Sequence, residues 1–272
     1  MLAVSIVLYK TNIETLRRCL DCLISSNYLK KVFIIDNSFE PSCSKSDLTS
    51  YQNVEFELIH RPDNPGYGRA HNIAIMSDCL VDFHLVINAD VYFTNGVLDN
   101  LCNYMYENQE VGQLMPLVRY PNGDNQYLCK LVPSPLDLIK NYLSNYRFFF
   151  KIKKNFRLKD CAYDKVYFIP YLSGCFMLLR KSIVKKIGGF DERFFLYPED
   201  VDLTRRMAIV SETVCNPHYE IYHEHGAHTT KSLKIFLIHS YNMILYFNKW
   251  GWINDKSRQV LNKKTINQFE EK

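Results

Sequence analysis

Two groups of carboxylates, about a hundred residues apart, are where this chain could do chemistry. Glu199, Asp200 and Asp202 follow Tyr197-Pro198, and Asp90 follows Ile87-Asn88-Ala89 at the end of an apolar run. Open α/β sheets bind ligands outside the carboxyl ends of their strands, so acids at such ends are placed to act. Asp90 suits a hard cation, Mg2+ or Mn2+, that joins it to a diphosphate. Asn88 stands two residues earlier, where a metal-binding D-x-D would have its first acid. Acids in a first helical turn complement the helix dipole, but three within four residues exceed that need. One of them, Asp200 or its neighbour Glu199, can act as a general base on a hydroxyl.

One carboxylate makes a thin metal site, so a second ligand is required. His223, His225 and His228 cluster nearby in sequence. Histidines at alternate positions suit zinc, but no thiols are placed to help. A single histidine, His223 or else His225, completing an Mn2+ site is more economical than a zinc centre. The competing reading is a polar, pH-sensitive loop.

The segment from Asp63 to Asn72 could supply nucleotide contacts. It is neither G-x-G-x-x-G, because His71 stands where the third glycine belongs, nor a P-loop, because no Gly-Lys-Ser/Thr follows. Gly66 and Gly68 allow a turn with positive φ. Asn64 and Asn72 can close that turn or touch a ribose. Asp36 closes another apolar run and could accept the ring N–H of uracil or thymine, although Asp-Asn-Ser is also a common turn former. Together these groups suggest an enzyme that takes a sugar from a nucleotide carrier.

The elements that must position them follow from the hydrophobic pattern. Residues 4–9, 32–35, 54–59 and 84–87 read as strands, the first ending at Tyr9. Between them, Thr11 and Glu14 have capping-box spacing before a helix with Leu16, Leu20, Leu23 and Ile24 on one face. A second helix runs through Ala70, Ile73, Ala74 and Met76. This alternation predicts an α/β fold with a mostly parallel sheet flanked by helices. Residues 113–118 and 167–179 read as strands, 133–145 as helix, and Pro198 as the first turn of a helix to about Val210. The expected organisation is a catalytic domain over 1–230, with a nucleotide-binding half (1–95) and an acceptor half (96–230), and a helical tail over 231–272.

Bulk properties narrow the class. The chain has 272 residues, 33 basic against 29 acidic, for a formal charge of +4. So small an excess gives no ground for a nucleic-acid partner. Nine cysteines, an odd number lying mostly in apolar runs, read as reduced core thiols of a cytoplasmic protein. Residues 1–9 are apolar but short, without the basic start of a signal peptide. No run of about 20 apolar residues occurs. Residues 232–252 are rich in apolar and aromatic side chains edged by Lys231, Lys234 and Lys249, and 145–159 combine basic and aromatic residues. An interfacial helix on a membrane fits the former, as does a helix packed on the domain or against a second subunit in a homodimer.

The constellation resembles the inverting family 2 glycosyltransferases, and within them the bacterial rhamnosyltransferase-like enzymes of O-antigen and capsule assembly. The likeness is carried by residues 5–9, Ile35-Asp36-Asn37-Ser38, Asn64 through Asn72, Asn88-x-Asp90, residues 173–178, Gly189-Phe190-Asp191, residues 199–203 with Arg206, and His223. It implies a GT-A fold, a nucleobase near Asp36, a diphosphate and metal near Asp90, and a catalytic base at Asp200. It also sets Gly174, Asp202 and Arg206 in the pocket for donor and acceptor. Relatives often carry Pro where this chain has Ala89, and Ser near the position of His228. The implied reaction moves a sugar, rhamnose foremost, from a dTDP- or UDP-sugar to a hydroxyl of a lipid-linked oligosaccharide. The setting would be the inner face of the cytoplasmic membrane. Transfer of galactofuranose, galactose or glucose by the same fold, or a catalytically silent nucleotide-sugar-binding subunit, are the alternatives. A nucleotidyltransferase would want a glycine- and basic-rich phosphate loop, which Tyr9-Lys10-Thr11 does not supply.

Overall fold

The computed structural model describes residues 1–51, 53–143, 158–159, 161–224 and 233–270. His225, His228, Lys231 and nearly all of the basic, aromatic stretch 145–159 lie outside them.

Four parallel strands form one half of the sheet: β1 (Leu2–Leu8), β2 (Leu29–Asp36), β3 (Glu55–His60) and β4 (Phe83–Ile87), in the order β3-β2-β1-β4. The sheet continues through β8 (Phe176–Arg180), antiparallel to β4, and then β6 (Val111–Arg119), β9 (Glu212–His223) and β5 (Val91–Tyr92). A ninth strand, β7 (Tyr167–Phe168), pairs with β9.

Both faces of this sheet are covered, which is why β1 and β4 are apolar at almost every position. Val4, Ile6 and Leu8 point to one face, with Leu16, Cys19, Leu20 and Leu23 of α1 (Ile13–Leu23) and Leu98, Leu101 and Cys102 of α3 (Val97–Glu107). The alternate residues point to the other. There Ala3 meets Ala70 and Ala74 of α2 (Tyr67–Ile75). Farther along, Val86, Met177 and Leu179 meet Val184 of α5 (Lys181–Lys186) and Leu203 and Met207 of α6 (Glu199–Val210). Each buried leucine of α1 contributes roughly 1.5–3 kcal/mol. The two polar residues in β1 and β4 meet: Ser5 Oγ lies 2.9 Å from His84 Nε2 and 2.7 Å from His71 Nδ1, while the other nitrogen of each ring is buried without a partner among the described residues.

The α/β sheet with flanking helices is as expected, and several local readings are corrected. Asn12, not Thr11, caps α1, its side chain accepting the Glu14 N–H at 2.8 Å, so no capping box with Thr11 forms. Ile24 falls past the helix end and is exposed. Residues 167–179 divide into β7 and β8, and the loop between them bears Gly174.

Helix α4 (Pro135–Leu143) falls between β6 and β7 in the chain, and α7 (Leu233–Trp250) and α8 (Lys256–Glu270) follow β9. Met243, Tyr246 and Phe247 of α7 pack on Phe194 and Val201. The Asn262 and Gln268 side chains of α8 hydrogen-bond the backbone of Val132 and Phe168. A second stripe of α7, with Leu233, Phe236, Leu237, Tyr241 and Ile244, is exposed. No helix among the described residues is long and apolar enough to cross a membrane.

Candidate active site

The strand order places the site. The chain runs outward from β1 to β2 and β3, then returns to add β4 on the other side of β1. The crevice at that reversal, beyond the carboxyl ends of β1 and β4, is where such sheets bind nucleotides. Tyr9 leaves β1 there, 57% exposed, and Asn88-Ala89-Asp90 leave β4. Because β8 runs antiparallel to β4, the loop entering it, with Gly174 and Cys175, arrives at the same edge. Strand β5 pairs with β9 so that Val91 faces His223, which brings Asp90 beside that histidine.

Asp90 Oδ1 is 3.3 Å from His223 Nε2, and Asn88 Nδ2 is 3.5 Å from the same nitrogen. Behind the ring, Gln126 Oε1 is 3.0 Å from Nδ1. One carboxylate oxygen and one imidazole nitrogen on adjacent strands form a donor pair that fits Mg2+ or Mn2+, with substrate oxygens and water filling the other positions. Among the described residues no group of three or more His, Cys, Asp or Glu comes together in this way, so two protein ligands are what these residues offer.

The acids of α6 reach this edge from the other side. Asp200 Oδ2 accepts the Gly174 N–H at 3.2 Å and its Oδ1 the Val201 N–H at 2.8 Å. A methyl group built on Gly174 would stand 3.4 Å from Asp200 Cβ and 3.5 Å from the Tyr67 ring, so the loop passes close to both. Asp200 is partly accessible whereas Glu199 is buried, with one carboxyl oxygen lacking a hydrogen-bond partner. Burial, and then the charge of Asp200, pushes Glu199 up to about 8. Burial also raises Asp200, against the opposing pull of Lys130 and the backbone N–H groups of Val201 and Gly174. The pair therefore divides its roles: burial and the neighbouring carboxylate favour the protonated form of Glu199, while Asp200, held by two N–H groups and raised in basicity by burial, is the better-placed proton acceptor.

Several residues assigned to the pocket stand elsewhere. Asp202 is fully buried and binds Arg206 Nε at 2.8 Å, Trp250 Nε1 at 2.8 Å and Lys249 Nζ at 2.7 Å. Residues two apart on a helix point about 200° apart, so Asp200 and Asp202 cannot share one pocket. Arg206 spends its remaining donors on the carbonyls of Ile187 and Gly189. Asn72 is also buried; it binds the Phe190 N–H and C=O, at 2.8 and 2.9 Å, and so secures the 188–190 turn rather than a ribose. Asn64 caps the Gly66 N–H at 3.3 Å. Gly66 has φ +98° and a Cβ there would lie 2.4 Å from the Phe195 carbonyl, while Gly68 lets Phe190 approach α2. Asp36 is 0% exposed, and its oxygens accept the N–H groups of Ser38 and Ser42. In this conformation it builds the loop after β2 and offers no face to a base.

Other residues at the edge were not singled out from sequence. The Tyr67 hydroxyl spans the two halves, 2.9 Å from Asn88 Oδ1 and 2.8 Å from the Gly174 carbonyl. Burial first, and then the acidic groups around it, Cys175, Glu199, Asp200 and Asp90, push this hydroxyl well above its ordinary range. Cys175 is pushed up to about 12, chiefly by burial, and so acts as a neutral filler between the acids. Tyr67 lies inside the glycine turn that was noted, and its position at the start of α2 was the available signal. Gln126 and Lys130 lie in an irregular stretch with no periodicity to mark them.

Comparisons with known proteins identify the family and the fold. The family model described as Glycosyl transferase family 2 matches residues 4–188. The N-acetylglucosaminyl-diphospho-decaprenol L-rhamnosyltransferase of Mycobacterium tuberculosis is 31% identical over 216 residues, covering 73% of this chain and 67% of that protein. Rhamnosyltransferase WbbL of Escherichia coli is 24% identical over 151 residues, 53% of this chain and 54% of that one. Among solved structures, GalNAc-T7 with UDP, GalNAc and Mn2+ has a TM-score of 0.62 at 14% identity, covering all of this chain and 57% of that one. At that identity the likeness is one of fold, and the fold is the GT-A type that the motifs imply.

Proposed function

The chain belongs to glycosyl transferase family 2, and we propose that it is an inverting enzyme that moves rhamnose from a dTDP- or UDP-sugar to a saccharide hydroxyl of a lipid-linked oligosaccharide. The observation that carries this reading is the position of Asp200. It is open to the crevice, fixed by two N–H groups, and gathered around Tyr67 with the Asp90 edge. The acceptor hydroxyl gives its proton to Asp200 while its oxygen attacks the anomeric carbon, and the bond to the nucleoside diphosphate breaks on the opposite face. One displacement of this kind inverts the centre. Glu199, protonated and buried, does not compete for the proton. Tyr9 offers an exposed ring on which the nucleobase can stack, and Asn88 keeps the turn at Asp90 tied to Tyr67. A divalent cation held by Asp90 and His223 would neutralise charge on the departing diphosphate.

The rhamnose assignment is supported by both rhamnosyltransferase relatives. The mycobacterial relative's name specifies a lipid diphosphate acceptor, and the exposed apolar stripe of α7 supports work as a peripheral protein at a membrane surface. The test is nucleoside diphosphate release by purified protein with dTDP-rhamnose, UDP-galactofuranose, UDP-galactose or UDP-glucose, after EDTA and after added Mn2+. Release from dTDP-rhamnose that EDTA abolishes and Mn2+ restores is expected. Turnover of another donor alone would refute the sugar, and full activity in EDTA would refute the metal.

A further inference from the structure

We infer that Gln126 is a positioning residue that fixes the tautomer of His223, so that the lone pair of Nε2, and not an N–H, faces Asp90. The orientation of the glutamine amide follows from its surroundings. Its NH2 group faces two backbone carbonyls, that of His223 at 2.6 Å and that of Arg119 at 3.2 Å. Carbonyls only accept, so both must be served by the NH2 hydrogens. The Oε1 atom is thereby the one turned to His223 Nδ1, 3.0 Å away. An amide oxygen also only accepts, so Nδ1 carries the hydrogen. In a neutral ring, the proton on Nδ1 leaves Nε2 bare, and Nε2 is the nitrogen 3.3 Å from the Asp90 carboxylate.

The backbone holds the lock in place. The Gln126 N–H donates to Val118 C=O at 3.0 Å, and the turn at 120–124 closes through Arg119 and Asn125, returning the chain beside the end of β9. Gln126 is 9% exposed and His223 5%, so water does not readily substitute for either partner. The Asn88 amide, whose oxygen accepts the Tyr67 hydroxyl, turns its NH2 to the same Nε2 at 3.5 Å, in keeping with a lone pair there. The lock thus leaves Nε2 able to give that lone pair to a cation beside Asp90, which is how a partner beyond the ligand tunes a metal site. This inference rests on the proposed Asp90–His223 site, but the tautomer is observable without metal or substrate.

The experiment is 15N NMR of the histidine rings in the metal-free full chain at pH 8, with His223 assigned by its loss in His223→Gln. Mn2+ affinity is then measured by electron paramagnetic resonance on wild type, Gln126→Met and Gln126→Ala. The Nδ1–H form is expected for His223 in wild type, and a mixture of tautomers in both variants, with Mn2+ affinity weakened about 10–100-fold. An Nε2–H ring in wild type would overturn the inference, whatever the variants do. So would folded variants, judged by circular dichroism, that keep the wild-type tautomer and affinity. If wild type shows the Nδ1–H form yet binds no Mn2+, the metal reading fails while the tautomer assignment stands.

Discussion

Asp202→Asn separates a structural acid from a pocket acid. In the fold, Asp202 receives Arg206, Trp250 and Lys249 within 2.8 Å and is fully buried. Asn keeps the shape but removes the charge and turns an NH2 toward at least one donor. Removing one partner of a buried ion pair costs about 3–5 kcal/mol, because the other charge is left without compensation. Here both cations keep other acceptors: Arg206 the carbonyls of Ile187 and Gly189, Lys249 the carboxylate of Asp191 at 2.7 Å. The loss should therefore fall at the lower end, about 3 kcal/mol. Trp250→Phe, which forfeits one N–H to a charged acceptor and part of the ring that Arg205 covers at 3.8 Å, should lose at least about 1.5 kcal/mol. Urea unfolding followed by circular dichroism reads both values, and donor affinity of the folded protein below 15 °C (roughly, to keep the variant native) should match wild type. A loss under about 1 kcal/mol together with a large fall in donor affinity would refute the reasoning and return Asp202 to the pocket.

Glu199→Gln should retain turnover within about 10-fold, because Gln mimics the protonated acid. A folded-state pKa above the unfolded one means that wild-type stability falls as pH rises from 4.5 toward 8. The Gln variant should lack that slope in unfolding at pH 6 and 8, and an unchanged slope would contradict the protonated state. His71 is depressed by burial from 6.5 to about 3, so the unfolded chain takes up a proton that the folded one refuses. Stability is therefore lost as pH falls below 6.5, by about 2 kcal/mol for this group at pH 5. His84 is depressed in the same direction, also by burial first. His71→Gln should shrink the loss between pH 7.5 and 5 by about that 2 kcal/mol, and an equal loss would show that His71 is not responsible. Gly66→Ala should cost at least about 2 kcal/mol, since it strains a positive φ and drives Cβ to 2.4 Å from a carbonyl. Thermal unfolding at wild-type temperature would contradict it.

The ends of the parallel strands were the most legible part of the site. An apolar run that stops at a polar residue marks a carboxyl end, and Tyr9, Asn88 and Asp90 all lie at such ends of β1 and β4. The residues misplaced in sequence share a cause: residue type does not say which way a side chain points. Asp202, Arg206 and Asn72 are polar and close to the motif, yet each faces the core and holds a neighbouring segment. Strand β9 escaped notice because Pro217 interrupts it and its pairing with β6 slips at Pro116/Leu117, so no clean alternation survives. Gln126 could not be found either, since its partner His223 is 97 residues away and is met only through the turn after β6.

The central claim is that Asp200 is the base. Asp200→Asn, assayed for sugar transfer and for donor binding by calorimetry with the accepted donor, addresses it most directly. Transfer should fall about 10²–10⁴-fold while the dissociation constant for the donor stays within about threefold. Near wild-type transfer by Asp200→Asn, with Glu199→Gln inactive, would contradict the account and move the base to Glu199.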